Sequence, residues 1–331
     1  MEYEQGDRLG HALAVGLNPA QWMQKKKSVL LTREEFFDNC VWLREMAFQM
    51  SQKNTKFNPW ITFYDNEIHK LQRDLKKGDS TQDVQKISCS SQALFDAYLE
   101  RKNMWAVPSC AGWNPGDASP DRTRRKPNLE HERLISSWAK DYYMRHAFNA
   151  GSFAGKNGDS GAARWFQYIL VETGDISCSE DWNPLFEHRE TVREEEMNFW
   201  EAVQDYLLEM CACRGIILEA NPSSNVAISE LDCYDSHPVF RWIPLQSEEL
   251  SPGGRYNRSG LRTGNVRVCV NSDDPGIFCT TLQNEFHLLE SAALKHHPPE
   301  KVHQWLEQLR CCGVDIFLGN YISPFYIQVS S

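Results

Sequence analysis

Three short stretches carry residue types whose spacing could do chemistry. "LGHA" holds His11, "EANPSSN" holds Glu219 and Asn221, and "NSDDP" holds Asp273 and Asp274. Each follows an apolar run, where a strand would end. Adjacent carboxylates at the mouth of a buried strand cost energy unless a metal, an arginine or bulk water faces them. An aspartate with a nearby imidazole is what a catalytic divalent metal needs: one ligand, and one partner that orients a metal-bound hydroxide. Singly, each stretch has a plainer reading. Gly-His is a common turn with a satisfied histidine, and Asp-Asp-Pro is a common helix cap or turn. In this order, each after an apolar run, they point to one shared site.

The elements that position them follow from the flanking patterns. "DRLGHALAVGL" predicts a short strand running into a Gly-His turn, and "NPAQWMQKK" a helix capped by Asn18 with Pro19 in its first turn. "RETVREEEMNFWEAVQDYLLEMCACRG" predicts a long amphipathic helix with an acidic first half, closed by Gly215. "IILEANPSSN" then predicts a buried strand, and "VRVCVNSDDP" another beyond a glycine-rich loop. Helices predicted in "TTLQNEFHLLESAAL" and "PEKVHQWLEQLRCCG" close the chain. Helix, strand, loop and strand are the grammar of a parallel α/β barrel, whose strands present their carboxyl ends on one face.

The remaining composition narrows the function class. A net charge of -10 argues against nucleic-acid binding through the overall field, while a local basic groove stays open. No apolar run is long enough for a membrane span, and the first residues lack the pattern of a secretion signal, so a cytoplasmic protein is expected. The 11 cysteines are odd in number and irregularly spaced, which disfavours a disulfide framework. Neither Cys211 with Cys213 nor Cys311 with Cys312 has a second pair at structural-zinc spacing.

Residues 28–188 read as mostly helical. "TREEFFDNCVWLREMAFQMSQK" opens with a Thr-x-x-Glu capping box, and "SSQALFDAYLERKNMW" has the same period. The polar stretch "KLQRDLKKGDSTQDVQK" between them reads as a solvated turn region. Residues 106–130 read as a long loop with a basic run at 122–126, and residues 149–165 as a glycine-rich connection that matches no phosphate-binding pattern.

"DRLGHAL", "ILEANPSSN", "SHPVF" and "VRVCVNSDDPGIFCTTLQNEF" together resemble the last third of the adenosine and adenylate deaminase family of metal-dependent barrels. The likeness falls in two blocks, 6–20 and 214–288. It is weakest at the first, where Ala12 replaces the family's second glycine. The resemblance implies that Asp273 ligates a catalytic zinc, that Asp274 hydrogen-bonds the purine ring, and that His11 orients and helps deprotonate the metal-bound water. It gives residues 219–225 a pocket-shaping role and His237 a structural one. The family's His-x-His pair, a further zinc histidine and a glutamate that protonates the ring have no counterpart in this chain. His296 and His297, before two prolines, are poor substitutes. The zinc site is therefore expected to be incomplete, with the other ligands on an upstream polypeptide.

The expected fold is α/β: the C-terminal portion of a (β/α)8 TIM-like barrel bearing a large, mostly helical insertion. The expected divisions are 1–27, a barrel strand and turn with Gly-His; 28–188, the insertion; and 189–331, the final strands and helices. An insertion of this sort resembles the large deaminase subunit of the bacterial RADAR antiphage system. That likeness implies conversion of adenosine to inosine in a nucleoside, a nucleotide or RNA, within a homo-oligomer or larger assembly engaged in antiviral defence. Two alternatives stay open. One is a non-catalytic assembly or scaffold protein that retains the barrel motifs; the other is a metal-dependent phosphoesterase using the same aspartates.

Overall fold

The computed structural model describes residues 5–76, 94–96, 98–99, 168–173, 186–229 and 231–322. The chain divides into two compact units, Met1–Lys26 with Arg193–Ser331, and Lys27–Val192. The described residues are helix-rich with a small parallel sheet, an α/β fold.

The first unit holds that sheet. Strand β1 (Arg8–Leu9) pairs with β5 (Ile217–Ala220), and β5 pairs with β6 (Arg267–Val270), all parallel. Leu9 lies opposite Leu218, and Leu218 opposite Val268. On one face Leu218, Ala220 and Val268 are buried against Leu208, Val239, Trp242, Leu289, Val302, Trp305 and Leu309 from the surrounding helices. Ile217 and Cys269 pack with Ile316 in a separate small cluster, as expected when successive side chains alternate across a pleated strand.

Those helices follow from local signals. Helix α1 (Pro19–Lys26) starts where Asn18 Oδ1 accepts the Gln21 amide, and Met23 anchors it in the core. Helix α4 (Glu194–Arg214) begins with Glu194, Glu195 and Glu196, which favour its positive end. It ends at Gly215, whose φ of 67° is open to glycine at no steric cost. Strand β5 leads into the short helix α5 (Pro222–Ile228), and α6 (Val239–Trp242) follows the His-Pro turn. After β6 come α7 (Pro275–Phe278), α8 (Leu282–Ala293) and α9 (Pro299–Ile322).

A buried ionic network braces this unit. Arg241 donates from Nη2 to Asp205 at 2.7 Å and from Nη1 to Gln204 at 2.6 Å. Arg262 donates to the carbonyls of Arg241 and Trp242, and Glu209 accepts both the amide and hydroxyl of Thr263. Burial lowers the Arg262 guanidinium to about 10, against the raising influence of Asp205. Burial likewise raises the Asp205 carboxyl, against the pull of Arg241.

In the second unit strands accompany the helices of the mostly helical expectation for 28–188. Helices α2 (Arg33–Lys53) and α3 (Asn58–Lys76) pack through Phe37, Val41, Met50, Tyr64 and Ile68. A separate sheet accompanies them: β2 (Ser28–Thr32) runs antiparallel to β3 (Tyr168–Thr173), which runs parallel to β4 (Phe186–Val192). Strand β2 runs straight into α2 with no turn residue between, so "SVLLT" is masked by the helical pattern after it. Residues 70–76, expected as a turn, belong to α3. Strand β4 likewise takes residues 189–192 from the start expected for α4. The basic run at 122–126 and the glycine-rich stretch 149–165 lie outside the described residues.

Candidate functional site

The carboxyl ends of β1, β5 and β6 lie side by side because the three strands are parallel and in register. The ladder extends one step beyond β6, where the Asn271 amide donates to the Ala220 carbonyl at 2.9 Å. His11 therefore emerges beside Asp273 despite their separation in sequence. His11 Nε2 stands 3.6 Å from Asp273 Oδ2, an ion-pair distance too long for a direct hydrogen bond. Their side chains are 48% and 28% exposed, so both groups are open to a ligand.

The backbone at these two residues is unusual. His11 has φ of 52° and Asp273 φ of 57°, in the left-handed region that side chains rarely adopt. Asp and His are among the residue types that tolerate it best. Non-glycine residues are held there when surrounding structure over-determines them, and they cluster at functional sites.

Beneath the pair, Glu219 on β5 meets Arg8 of β1 at 3.3 Å. A Cβ at Gly10 would lie 3.3 Å from Glu219 Oε2, a tight contact. Cys269 faces Glu219 across the ladder. Burial first, then the Glu219 charge, push its thiol up to about 11, so the free thiol is protonated at neutral pH.

Asp274 has a local duty. Its Oδ1 accepts the amides of Gly276 at 3.0 Å and Ile277 at 3.3 Å, capping α7, with Pro275 at the first helical position. Asp274 is therefore a helix cap, as the plainer reading of Asp-Asp-Pro expected, and Asp273 stands beside a histidine.

His237 is buried and belongs to the scaffold. Its Nδ1 accepts the Val239 amide at 3.1 Å, which leaves the ring proton on Nε2 to be donated to Asn225 Oδ1 at 2.9 Å. Asn225 Oδ1 also accepts the Asn221 amide at 3.0 Å, so the histidine fixes the turn that ends β5. Burial lowers the imidazole to about 3, and it stays neutral.

Two residues here were not singled out by type and spacing. Arg8 was legible only as part of "DRLGH". Glu285 is fully buried at the start of α8, accepting the Ser223 amide at 2.8 Å and the Thr280 hydroxyl. Among the described residues, no cluster of three or more His, Cys, Asp or Glu could hold a metal. Asp273 and His11 offer two donors at most, where catalytic zinc takes three protein ligands, so the described residues do not by themselves fit zinc. No helix among them is long and apolar enough to cross a membrane.

No protein-family model matches the chain. Curated relatives do. The chain is 24% identical over 154 residues to an adenosine deaminase of Plasmodium knowlesi, covering 45% of this chain and 37% of that protein. It is 32% identical over 92 residues to an adenine deaminase of Rhizobium rhizogenes, covering 28% of this chain and 23% of that one. A third similarity, 36% over 78 residues, is to an adenine deaminase of Agrobacterium fabrum, covering 24% and 18%. The chain thus spans well under half the length of these relatives. They support a distant tie to the adenosine and adenine deaminases at low identity.

Proposed function

We propose that this chain carries part of the active site of a purine deaminase, a hydrolase that converts adenosine to inosine. The observation that carries the reading is the meeting of His11 and Asp273 at the end of a parallel sheet, both in the left-handed conformation. The distant likeness to proteins named adenosine or adenine deaminase supports it.

In this reading the strands belong to a TIM-like barrel, and Asp273 would be one ligand of a zinc ion. The other ligands and the ring-protonating acid come from outside the described residues. A zinc so held would supply a water of lowered pKa. What this chain supplies is position and proton handling. His11, fixed by its backbone, holds the attacking water and accepts its proton. Asp274 keeps one oxygen for the cap and offers the other to the purine ring. Water adds at the carbon bearing the amine, the proton taken by His11 passes to the amine, the C–N bond breaks, and ammonia leaves as adenosine becomes inosine. The finer proposal covers adenosine in RNA as well as free nucleoside or nucleotide, a cytoplasmic oligomer, and a role in antiviral defence.

The test is metal analysis and adenosine turnover of the protein and of Asp273→Asn and His11→Asn, which keep a residue tolerant of positive φ. D273N should lose zinc. H11N should keep it while kcat falls by about 10²–10⁴, the usual contribution of a positioned acid–base group. Retained zinc with unchanged turnover in D273N would sink the assignment. A defined oligomer that binds no metal and turns nothing over would instead support the scaffold alternative.

A further inference from the structure

Glu285 stands out among the buried charged side chains, because it ties together two loops that end different strands. Its Oε2 accepts the amide of Ser223, in the first turn after β5. Its Oε1 accepts the hydroxyl of Thr280, which follows Asp273, Asp274 and helix α7. Asn284 Nδ2 donates to the same Thr280 Oγ1 at 3.0 Å, and Ser223 Oγ approaches it at 3.4 Å. Glu285 is fully buried and Thr280 nearly so. A carboxylate so placed, with an N–H on one oxygen and an O–H on the other, makes short charge-assisted bonds that resist sliding. Helix α8 carries it, and Thr281 Oγ1 caps that helix on the Asn284 amide at 3.2 Å. Leu289, Ala292 and Ala293 anchor its far end in the core.

We propose that Glu285 is the positioning residue of the candidate site. It holds the β6 loop against the turn after β5, so that Asp273 and Asp274 keep a fixed place relative to Glu219 and His11. The role rests on the deaminase reading only for what is positioned. The clamp itself is a property of these hydrogen bonds. The carboxylate touches no reacting group. It acts through Thr280 on a loop whose one left-handed aspartate would otherwise relax, since positive φ at a non-glycine residue persists only under external restraint.

The experiment compares E285Q, T280V and T280S by NMR amide exchange at Ser223, Gly276 and Ile277. The Gly276 and Ile277 amides donate to Asp274 rather than to Glu285, so a change there reports the loop. In E285Q all three amides should exchange about tenfold faster, while amides of α4 stay within about twofold, since losing one buried charge-assisted bond opens a local unit without melting the whole. T280V should reproduce the effect at Gly276 and Ile277, and T280S should restore wild-type exchange. T280V carries the test if E285Q fails to fold. Loosening of Ser223 alone, with Gly276 and Ile277 unchanged in both E285Q and T280V, overturns the proposal and leaves Glu285 as a local cap of α5. The exchange result stands apart from turnover. A protein with its full set of zinc ligands that is inactive on adenosine as nucleoside, as nucleotide and in RNA refutes the deaminase reading, and the clamp is still decided by the three amides.

Discussion

Lowering the pH from 7.5 to 5 should weaken this fold through a single identifiable group, His237. In the folded chain burial lowers the imidazole to about 3, from an ordinary value of 6.5. Both ring nitrogens are committed: Nδ1 to the Val239 amide and Nε2–H to Asn225. Protonation at Nδ1 would place two N–H groups face to face inside the core. A depressed folded value means that the unfolded chain takes up the proton first. The stabilisation is therefore complete above pH 6.5 and is lost as the pH falls toward 3. At 1.36 kcal/mol per pH unit, the loss between 6.5 and 5 is about 2 kcal/mol. The assay is urea unfolding followed by tryptophan fluorescence, with Trp242 lying 6.1 Å from the imidazole. His237→Gln should be less stable at pH 7.5 by about 1 kcal/mol for the lost amide bond. Its gap from wild type should then close and reverse as the pH drops, the difference moving by about 2 kcal/mol. Asp205, raised by burial, titrates with the opposite sign in both proteins and cancels from the difference. A gap independent of pH between 7.5 and 5 would refute the picture of a neutral imidazole locked in the core.

Other outcomes follow from named contacts. Gly16→Ala should cost at least about 2 kcal/mol in a chemical melt, since its Cβ would lie 2.4 Å from Pro238 Cβ, an overpacking with nowhere to relax. Arg241→Met should destabilise by about 3–5 kcal/mol, because it strands the Asp205 carboxylate in the core; a loss under 1 kcal/mol would mean water reaches that pair. Asp274→Asn should keep the cap of α7 while Asp274→Ala loses about 1 kcal/mol, and equal melting of the two would show that the cap contributes nothing. If Asp274 also binds the purine ring, Asp274→Asn should raise the KM for adenosine at unchanged stability.

Much of the first unit was legible because local rules and tertiary needs agree there. Asn18 with Pro19 marks the start of α1 and Gly215 the end of α4; each is a capping requirement written in one or two residues. The Asp-Asp-Pro stretch was legible as a cap, which Asp274 is, and Asp273 at the strand end lies 3.6 Å from His11. What escaped were features without a local signature. Strand β2 pairs with β3 across a long interval of sequence, and nothing in "SVLLT" announces that partner. Glu285 looks like an ordinary acidic residue in a first helical turn, a favourable place on dipole grounds alone. Only the folded chain shows its carboxylate turned inward onto Ser223 and Thr280. The buried pairing of Arg241 with Asp205 is hidden for the same reason, since its partners lie on different elements.

The left-handed backbone at His11 and Asp273 sets selection for durability against selection for use. Glycine would adopt either conformation without strain, so replacing the residue there relieves of order 1 kcal/mol even as it deletes the functional group. A library sorted only for heat resistance should drift toward glycine or asparagine at both positions. A lineage that keeps histidine at one and aspartate at the other is giving up stability for something those side chains do. Deep mutational profiles under the two regimes would separate along these two columns, marking the site without any assay of the reaction itself.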